Sequence, residues 1–374
     1  MIIRLNDYKL GNKVASLALD EDTFRHLAQK QLNIMYLINC KLYFYPDNQW
    51  LELTDEQAAL FKQCDNYDVF QINGIGQAYK YYDNEIGDNA FMVTEQCNSN
   101  CIMCPATDNM RRKKNTVNVD EILEIIRHMP SDARHITITG GEPFLVGNRI
   151  FEIFLAFKEK CHSTSFLLLT NGRALSYEPF IRKFHETAPS KIIIGIPLHG
   201  YDAASHDAIT RSPGGFEQTI RGIKNLINFG HRVEIRMVVS KLNYQNITRI
   251  CELIVDQFPD VYRVKVMGLE MLGNAAVNQK DVWIPYNEAF DASKEGIDLL
   301  IRNSIQVGLY NFPLCAVDAD YHSIAAKSIT GYKVRYADEC EKCFIKDACG
   351  GIFAGTIRLA KYDVKPVIYN DQLF

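Results

Sequence analysis

The sequence predicts an α/β protein built on a partial (β/α)6, TIM-like barrel, with an N-terminal extension over 1–89, a barrel core over 90–285 and a small cysteine-rich domain over 286–374. Three observations predict this. From residue 90 onward short apolar runs alternate with stretches of helical periodicity. The first 89 residues lack that alternation. Seven of the eleven cysteines gather in two groups, at 97–104 and 315–349.

The strand-like runs are AFMVT from Ala90, HITIT from His135, SFLLLT from Ser165, KIIIGIP from Lys191, RVEIRMVV from Arg232 and YRVKVMGL from Tyr262. Between them VDEILEIIRHM, NRIFEIFLAFKEK, EPFIRKFHET, FEQTIRGIKNLINFG and NITRICELIVDQF repeat apolar residues every three or four positions. Nearly continuous apolar strands joined by helices imply a parallel sheet with right-handed crossovers. A helix near 286–302 and the strand-like IQVGLYNF lead into the second cysteine group. In the extension, KQLNIMYLINCKLYFYPDNQWLELTDEQAALFKQCD reads as strand, turn at PDN, strand, then a helix capped by Thr54.

A net charge of −4 gives no electrostatic footprint for duplex nucleic acid, so no nucleic-acid partner is expected. No stretch is apolar for the roughly 18 residues a membrane span needs, and the first residues lack a signal-peptide pattern, so a cytoplasmic, membrane-free protein is expected. In a reducing cytosol cysteines are ligands or core residues before they are disulfides. Cys40, Cys64, Cys161 and Cys251 are scattered and read as core packing.

Parallel α/β folds collect their chemistry at the carboxyl ends of the strands. Here the loop after the first strand holds Cys97-x3-Cys101-x2-Cys104, the second ends in Gly140-Gly141-Glu142-Pro143, the third in Thr170-Asn171-Gly172 and the fourth in Leu198-His199-Gly200. Three neighbouring thiolates leave one iron of a four-iron cluster open, and an open metal position marks a catalytic site. A zinc knuckle wants a fourth ligand nearby, but His128 and His135 lie beyond a helix.

The cysteine spacing after the first strand, GGEP after the second, and six βα units resemble the radical S-adenosylmethionine (SAM) superfamily over about residues 90–285. The resemblance implies a [4Fe–4S] cluster on Cys97, Cys101 and Cys104, with SAM chelating the fourth iron and cleaved reductively to a 5′-deoxyadenosyl radical. It places Gly140, Gly141, Glu142 and Pro143 at the SAM amino group, where glycines let the backbone approach closely. Asn171, His199, Arg236 and Ser240 occupy positions for ribose, carboxylate or adenine contacts, Arg211 suits the SAM carboxylate, and Glu270 stands after strand six; each also reads as a turn or surface residue. Met103 replaces the aromatic residue often found before the third cysteine, and a thioether can still cover a cluster.

Cys315, Cys340, Cys343 and Cys349 suffice for a second, auxiliary [4Fe–4S] cluster, with zinc as the competing reading. The spacing resembles SPASM domains but has Phe353 where they continue with cysteine, which matches the shorter twitch version. FPLC, SITGYKVRYADECEKCFIKDACGG, MVTEQCNSNCIMCP and GLEMLGNA resemble, more narrowly, the C-type radical SAM maturase of the His-Xaa-Ser system. That implies a ribosomally made precursor peptide (RiPP) as substrate, a second radical SAM maturase as partner, and an electron donor such as flavodoxin or ferredoxin. The extension is loosely similar to small domains that hold a precursor peptide on a sheet edge, and reads equally as a packing layer. A small-molecule radical SAM dehydrogenase and a non-catalytic iron–sulfur or zinc sensor stay open as alternatives.

Overall fold

Strands, not helices, organise the first 94 residues. Seven of them, β1 (Ile2–Arg4), β2 (Lys13–Ala18), β3 (Ile34–Ile38), β4 (Lys41–Tyr45), β5 (Gln49–Glu52), β6 (Val69–Ile72) and β7 (Gln77–Tyr82), form one sheet in the order β1-β7-β6-β2-β3-β4-β5. Only β2 and β3 are parallel, joined across helix α1 (Glu21–Gln29). One face buries Leu17, Met35, Phe44, Phe70 and Ile72 against Phe61 of helix α2 (Asp55–Phe61). The stretch expected as one strand before the PDN turn is two, because Asn39 adopts a left-handed conformation and folds β3 onto β4.

Thr54 starts α2 as expected. Its hydroxyl accepts from the Gln57 N–H at 3.2 Å while the Gln57 side chain accepts from the Thr54 N–H at 2.8 Å.

The computed structural model describes residues 1–112, 118–361 and 363–368. It divides into two units, the first drawn from 1–94, 115–168 and 186–192 and the second from 95–114, 169–185 and 193–374. The second sheet is the parallel half-barrel class of sheet expected, with eight strands in chain order: β8 (Asp88–Met92), β9 (His135–Thr139), β10 (Ser165–Leu169), β11 (Ile192–Pro197), β12 (Arg232–Val238), β13 (Arg263–Met267), β14 (Val307–Tyr310) and β15 (Ala325–Ala326). The six expected strands are present, and β14, from the strand-like IQVGLYNF, and β15 extend them in parallel.

In the first unit helices α4 (Val119–His128) and α5 (Ile150–Lys160), which follow the short α3 (Asp108–Arg112), cover the sheet. Phe157 packs edge-on to Phe91, with ring centroids 5.2 Å apart, and tilted against Phe166 at 5.3 Å. Later helices are α6 (Glu178–Thr187), α7 (Ala203–Thr210), α8 (Gly215–Asn228) and α9 (Ile247–Gln257).

In the second unit a Cβ on Gly296 would stand 2.7 Å from the Cys251 sulfur, so Cys251 packs α9 against helix Lys294–Arg302. Cys64 and Cys161 are likewise buried, but Cys40 is exposed and is not the core residue expected. The helix expected near 286–302 breaks into Tyr286–Asp291 and Lys294–Arg302, where the Ser293 hydroxyl donates to the Ala289 carbonyl. Among the described residues no helix is long and apolar enough to cross a membrane.

Replacing Thr54 with alanine removes one half of the α2 capping box. The expected result is a loss of about 1 kcal/mol, read as a lower urea-unfolding midpoint; an unchanged midpoint contradicts the capping role.

Candidate active site

The loop after β8 carries three thiols on a backbone whose polar groups are almost all taken. Asn100 and Ile102 N–H groups donate to the Thr210 and Ile209 carbonyls, both at 3.0 Å, and Cys104 N–H donates to the Cys101 carbonyl at 3.2 Å. From the segment after β13, the Asn274 amide donates to the Cys101 carbonyl and the Asn278 amide to the Ile102 carbonyl, each at 3.2 Å. Gly273 permits that approach, since it has φ +57° and a Cβ there would lie 2.2 Å from the Pro105 carbonyl oxygen.

Two arginines clamp the same loop. Arg111, 6% exposed, donates to the Ser99 carbonyl at 2.6 Å and pairs with Asn100 and Asp108. Arg173 donates to the Asn98 carbonyl at 3.0 Å, the Ser212 hydroxyl at 2.5 Å and the Gln218 side chain at 2.7 Å. Neither stands out in the sequence, although Arg173 directly follows Thr170-Asn171-Gly172.

Burial pushes the Cys101 thiol up to about 12, the nearby Cys104 and Cys97 push it further, and the Arg111 guanidinium pulls it back. Met103, Ile209, Leu269 and Met271 form an apolar cluster against Cys101. Among the described residues only Asp65, Asp68 and Asp83 bring three ligand atoms within 4.8 Å of one another. Lys80 pairs with two of the three, Asp68 and Asp83. Three thiols close enough for Cys97 and Cys104 to act on Cys101, under an apolar cover, would suit a four-iron cluster with one iron left to another ligand.

Of the other residues singled out in the sequence, Asn171 reaches the cysteine loop, its amide donating to the Asn98 side chain at 2.7 Å. His199 follows β11, is 5% exposed, and has an Nδ1 without a hydrogen-bond partner. Its backbone N–H donates to the His206 Nδ1 at 3.2 Å. Ser240 is held in a turn by the Asn243 side chain, Arg211 is exposed just after α7, and Glu270 pairs with Lys333 at 3.1 Å. Arg236 lies within β12, paired with Glu234 at 2.5 Å.

GGEP belongs to the first unit. Gly141 N–H donates to the Thr94 carbonyl at 2.7 Å, and a Cβ on Gly140 would stand 2.4 Å from that same oxygen. Only glycine fits position 140 without a backbone shift. Glu142 is 1% exposed and accepts from the Phe144 N–H at 3.1 Å, capping the turn that Pro143 opens.

The second group, Cys315, Cys340, Cys343 and Cys349, lines one small pocket together with Tyr336 and Ile352. A short antiparallel pair, β16 (Val334–Arg335) and β17 (Ile352–Phe353), frames it. Leu314 and Gly351 N–H groups donate to the Cys349 sulfur at 3.3 and 3.4 Å. Burial raises the Cys315 and Cys340 thiols. Four thiols around one pocket match in number the ligands of a fully ligated four-iron cluster and, equally, those of a four-cysteine zinc site.

Residues 91–254 match the Radical SAM superfamily. The AdoMet-dependent heme synthase of Nitratidesulfovibrio vulgaris strain Hildenborough is 31% identical over 169 residues, 44% of either chain. The antilisterial bacteriocin subtilosin biosynthesis protein AlbA of Bacillus subtilis is 29% identical over 168 residues, 44% of this chain and 36% of its own. Among solved structures, Streptococcus suis SuiB bound to precursor peptide SuiA has 14% identity and a TM-score of 0.49, over 61% of this chain and 49% of that one. The chain spans about half the length, or less, of the curated relatives it matches.

Desolvation holds His199 down to about 3 and His206 down to about 4. An unfolded imidazole titrates near 6.5, so as pH falls below about 6.5 the unfolded chain takes up protons that these two folded imidazoles refuse. At pH 5 each costs roughly 2 kcal/mol. The thermal midpoint should therefore fall between pH 7 and pH 5, and fall less in His206→Gln; a midpoint equal at both pH values contradicts this.

Proposed function

We propose that this chain, a radical SAM enzyme by its domain, binds a [4Fe–4S] cluster on Cys97, Cys101 and Cys104, cleaves SAM reductively, and modifies a ribosomally made peptide. The observation that carries the reading is the three-thiol loop, which offers no fourth protein ligand within its own turn. When bound, the cluster supplies an electron to the SAM sulfonium, and the resulting 5′-deoxyadenosyl radical takes hydrogen from substrate. The chain's own residues do the rest.

Asn274, Asn278, Arg111 and Arg173 hold the loop carbonyls, so the thiol positions are set before a ligand arrives. Gly140 to Pro143 offer backbone groups to the SAM amino group. Asn171, His199, Arg211, Arg236, Ser240 and Glu270 remain candidates for its other contacts. Met103 and the apolar cluster exclude water from the Cys101 side. Cys315, Cys340, Cys343 and Cys349 are the residues that would hold an auxiliary cluster, which would supply an acceptor for the electron left after hydrogen removal. A flavodoxin or ferredoxin reduces the enzyme in the cytoplasm, and a second radical SAM maturase acts beside it.

A peptide substrate is supported by the four-cysteine group and by the relative named for bacteriocin subtilosin biosynthesis. The relatives named as AdoMet-dependent heme synthases favour a second reading, a small-molecule substrate of the tetrapyrrole class.

The two readings separate in one anaerobic assay. Reconstituted enzyme, SAM and reductant are incubated with a His-Xaa-Ser precursor peptide or with a carboxylated porphyrin, and products are identified by mass. Modified peptide is expected, and Cys343→Ala should retain 5′-deoxyadenosine formation while losing product. Modified porphyrin alone overturns the peptide reading, and full product from Cys343→Ala overturns the electron-acceptor role.

A further inference from the structure

Within the second unit one face of β11 to β14 is apolar and the other is not. Val233, Ile235 and Met237 of β12 and Val264 and Val266 of β13 are fully buried on the first face. The alternation puts Glu234 and Arg236, then Arg263 and Lys265, on the second. The register pairs Glu234 with Arg263, Arg236 with Lys265, and Lys265 with Gly308.

That face holds three cations and one carboxylate. Glu234, 1% exposed, is taken by both guanidinium groups, Arg236 at 2.5 Å and Arg263 at 2.6 Å. Lys265 is left over. It is 9% exposed, its ammonium has no hydrogen-bond acceptor among the described residues, and its nearest partner is the Tyr310 ring at 4.3 Å. Gly308 makes room for it, since a Cβ there would stand 2.5 Å from the Lys265 Nζ. Burial, and then Arg263 and Arg236, hold its pKa below the ordinary lysine value, although the Glu234 carboxylate, engaged by the two arginines, pulls it part of the way back.

A lysine mostly taken out of water, with an ammonium that no acceptor holds, regains part of its desolvation cost when an anion pairs with it. Lys265 stands two residues before the carboxyl end of β13, where parallel α/β sheets receive ligands. The segment after that strand also grips the cysteine loop, through Asn274.

We infer that Lys265 is the docking cation for a carboxylate of the substrate, with the Tyr310 ring as its platform and Arg236 as a neighbouring charge. This rests on the proposed function, in that it assigns the face to the substrate of that reaction. The carboxylate has two sources, an acidic residue of a peptide or a small organic acid.

The test measures binding by saturation-transfer NMR to the reconstituted full chain. The probes are the acetylated, amidated peptide Gly-Glu-Gly, its Gly-Gln-Gly counterpart, and glutarate. Wild type should bind the Glu peptide about tenfold or more tighter than the Gln peptide, which corresponds to one charge-assisted hydrogen bond. Lys265→Met should abolish that preference and Lys265→Arg should keep it. Glutarate as tight as the Glu peptide assigns the site to small acids; a tighter Glu peptide assigns it to a peptide.

Equal binding of Glu and Gln peptides to wild type overturns the inference, as does binding of neither. Because that comparison needs no variant, misfolding of Lys265→Met leaves it decisive. Deoxyadenosine formation by wild type without any probe is followed in parallel. Preference for the Glu peptide without deoxyadenosine sinks the proposed reaction and keeps the docking site; deoxyadenosine without preference does the reverse.

Discussion

The chemistry of this chain depends on one loop being held still by groups that do not themselves react. Three sulfurs separated by three and two residues can be brought to one centre only if the intervening carbonyls are tied down elsewhere. Here the carbonyls of Asn98, Ser99, Cys101 and Ile102 are each taken by a side-chain donor, two from arginines and two from asparagines. A loop left free would have to lose that conformational entropy at the moment of ligand binding. The donors come from α3, the turn after β10 and the segment after β13, so the second unit spends several of its strand-end residues on this one task.

The two cysteine groups solve different problems with the same atom type. The first offers three thiols and an apolar cover, which leaves one coordination position outside the protein's own ligand set. The second surrounds a small cavity with four thiols and turns backbone N–H groups toward the Cys349 sulfur. Amide donors to cluster sulfurs stabilise the reduced state and tune the potential.

Much of the sheet was legible because each strand keeps one buried apolar face, as in HITIT and SFLLL, and is separated from the next by a stretch of helical periodicity. The N-terminal seven-stranded sheet was less so. Its β3–β4 turn at Asn39-Cys40 carries neither glycine nor proline, so two strands looked like one, and β1, β2, β6 and β7 are too short and mixed in polarity to announce themselves. The cysteine groups and GGEP stand out in the sequence because they set particular residue types at short, fixed spacing. Arg111, Arg173, Asn274 and Asn278 were not, since they act on backbone carbonyls from distant parts of the chain and leave no spacing pattern. Lys265 is hidden for a related reason: in RVKVM it looks like an ordinary strand lysine, and only the pairing of Glu234 with two arginines shows that no carboxylate among the described residues is in contact with it.

The central claim is that the three-thiol loop holds a cluster open to SAM. The most direct measurement is the electron paramagnetic resonance spectrum of the reduced, iron-reconstituted protein with and without SAM, in wild type and in a variant with Cys97, Cys101 and Cys104 all replaced by alanine. The account predicts two overlapping cluster signals in wild type, one of which changes when SAM is added, and a single SAM-insensitive signal in the variant. A wild-type spectrum that SAM leaves untouched, from protein with both sites filled, would contradict it.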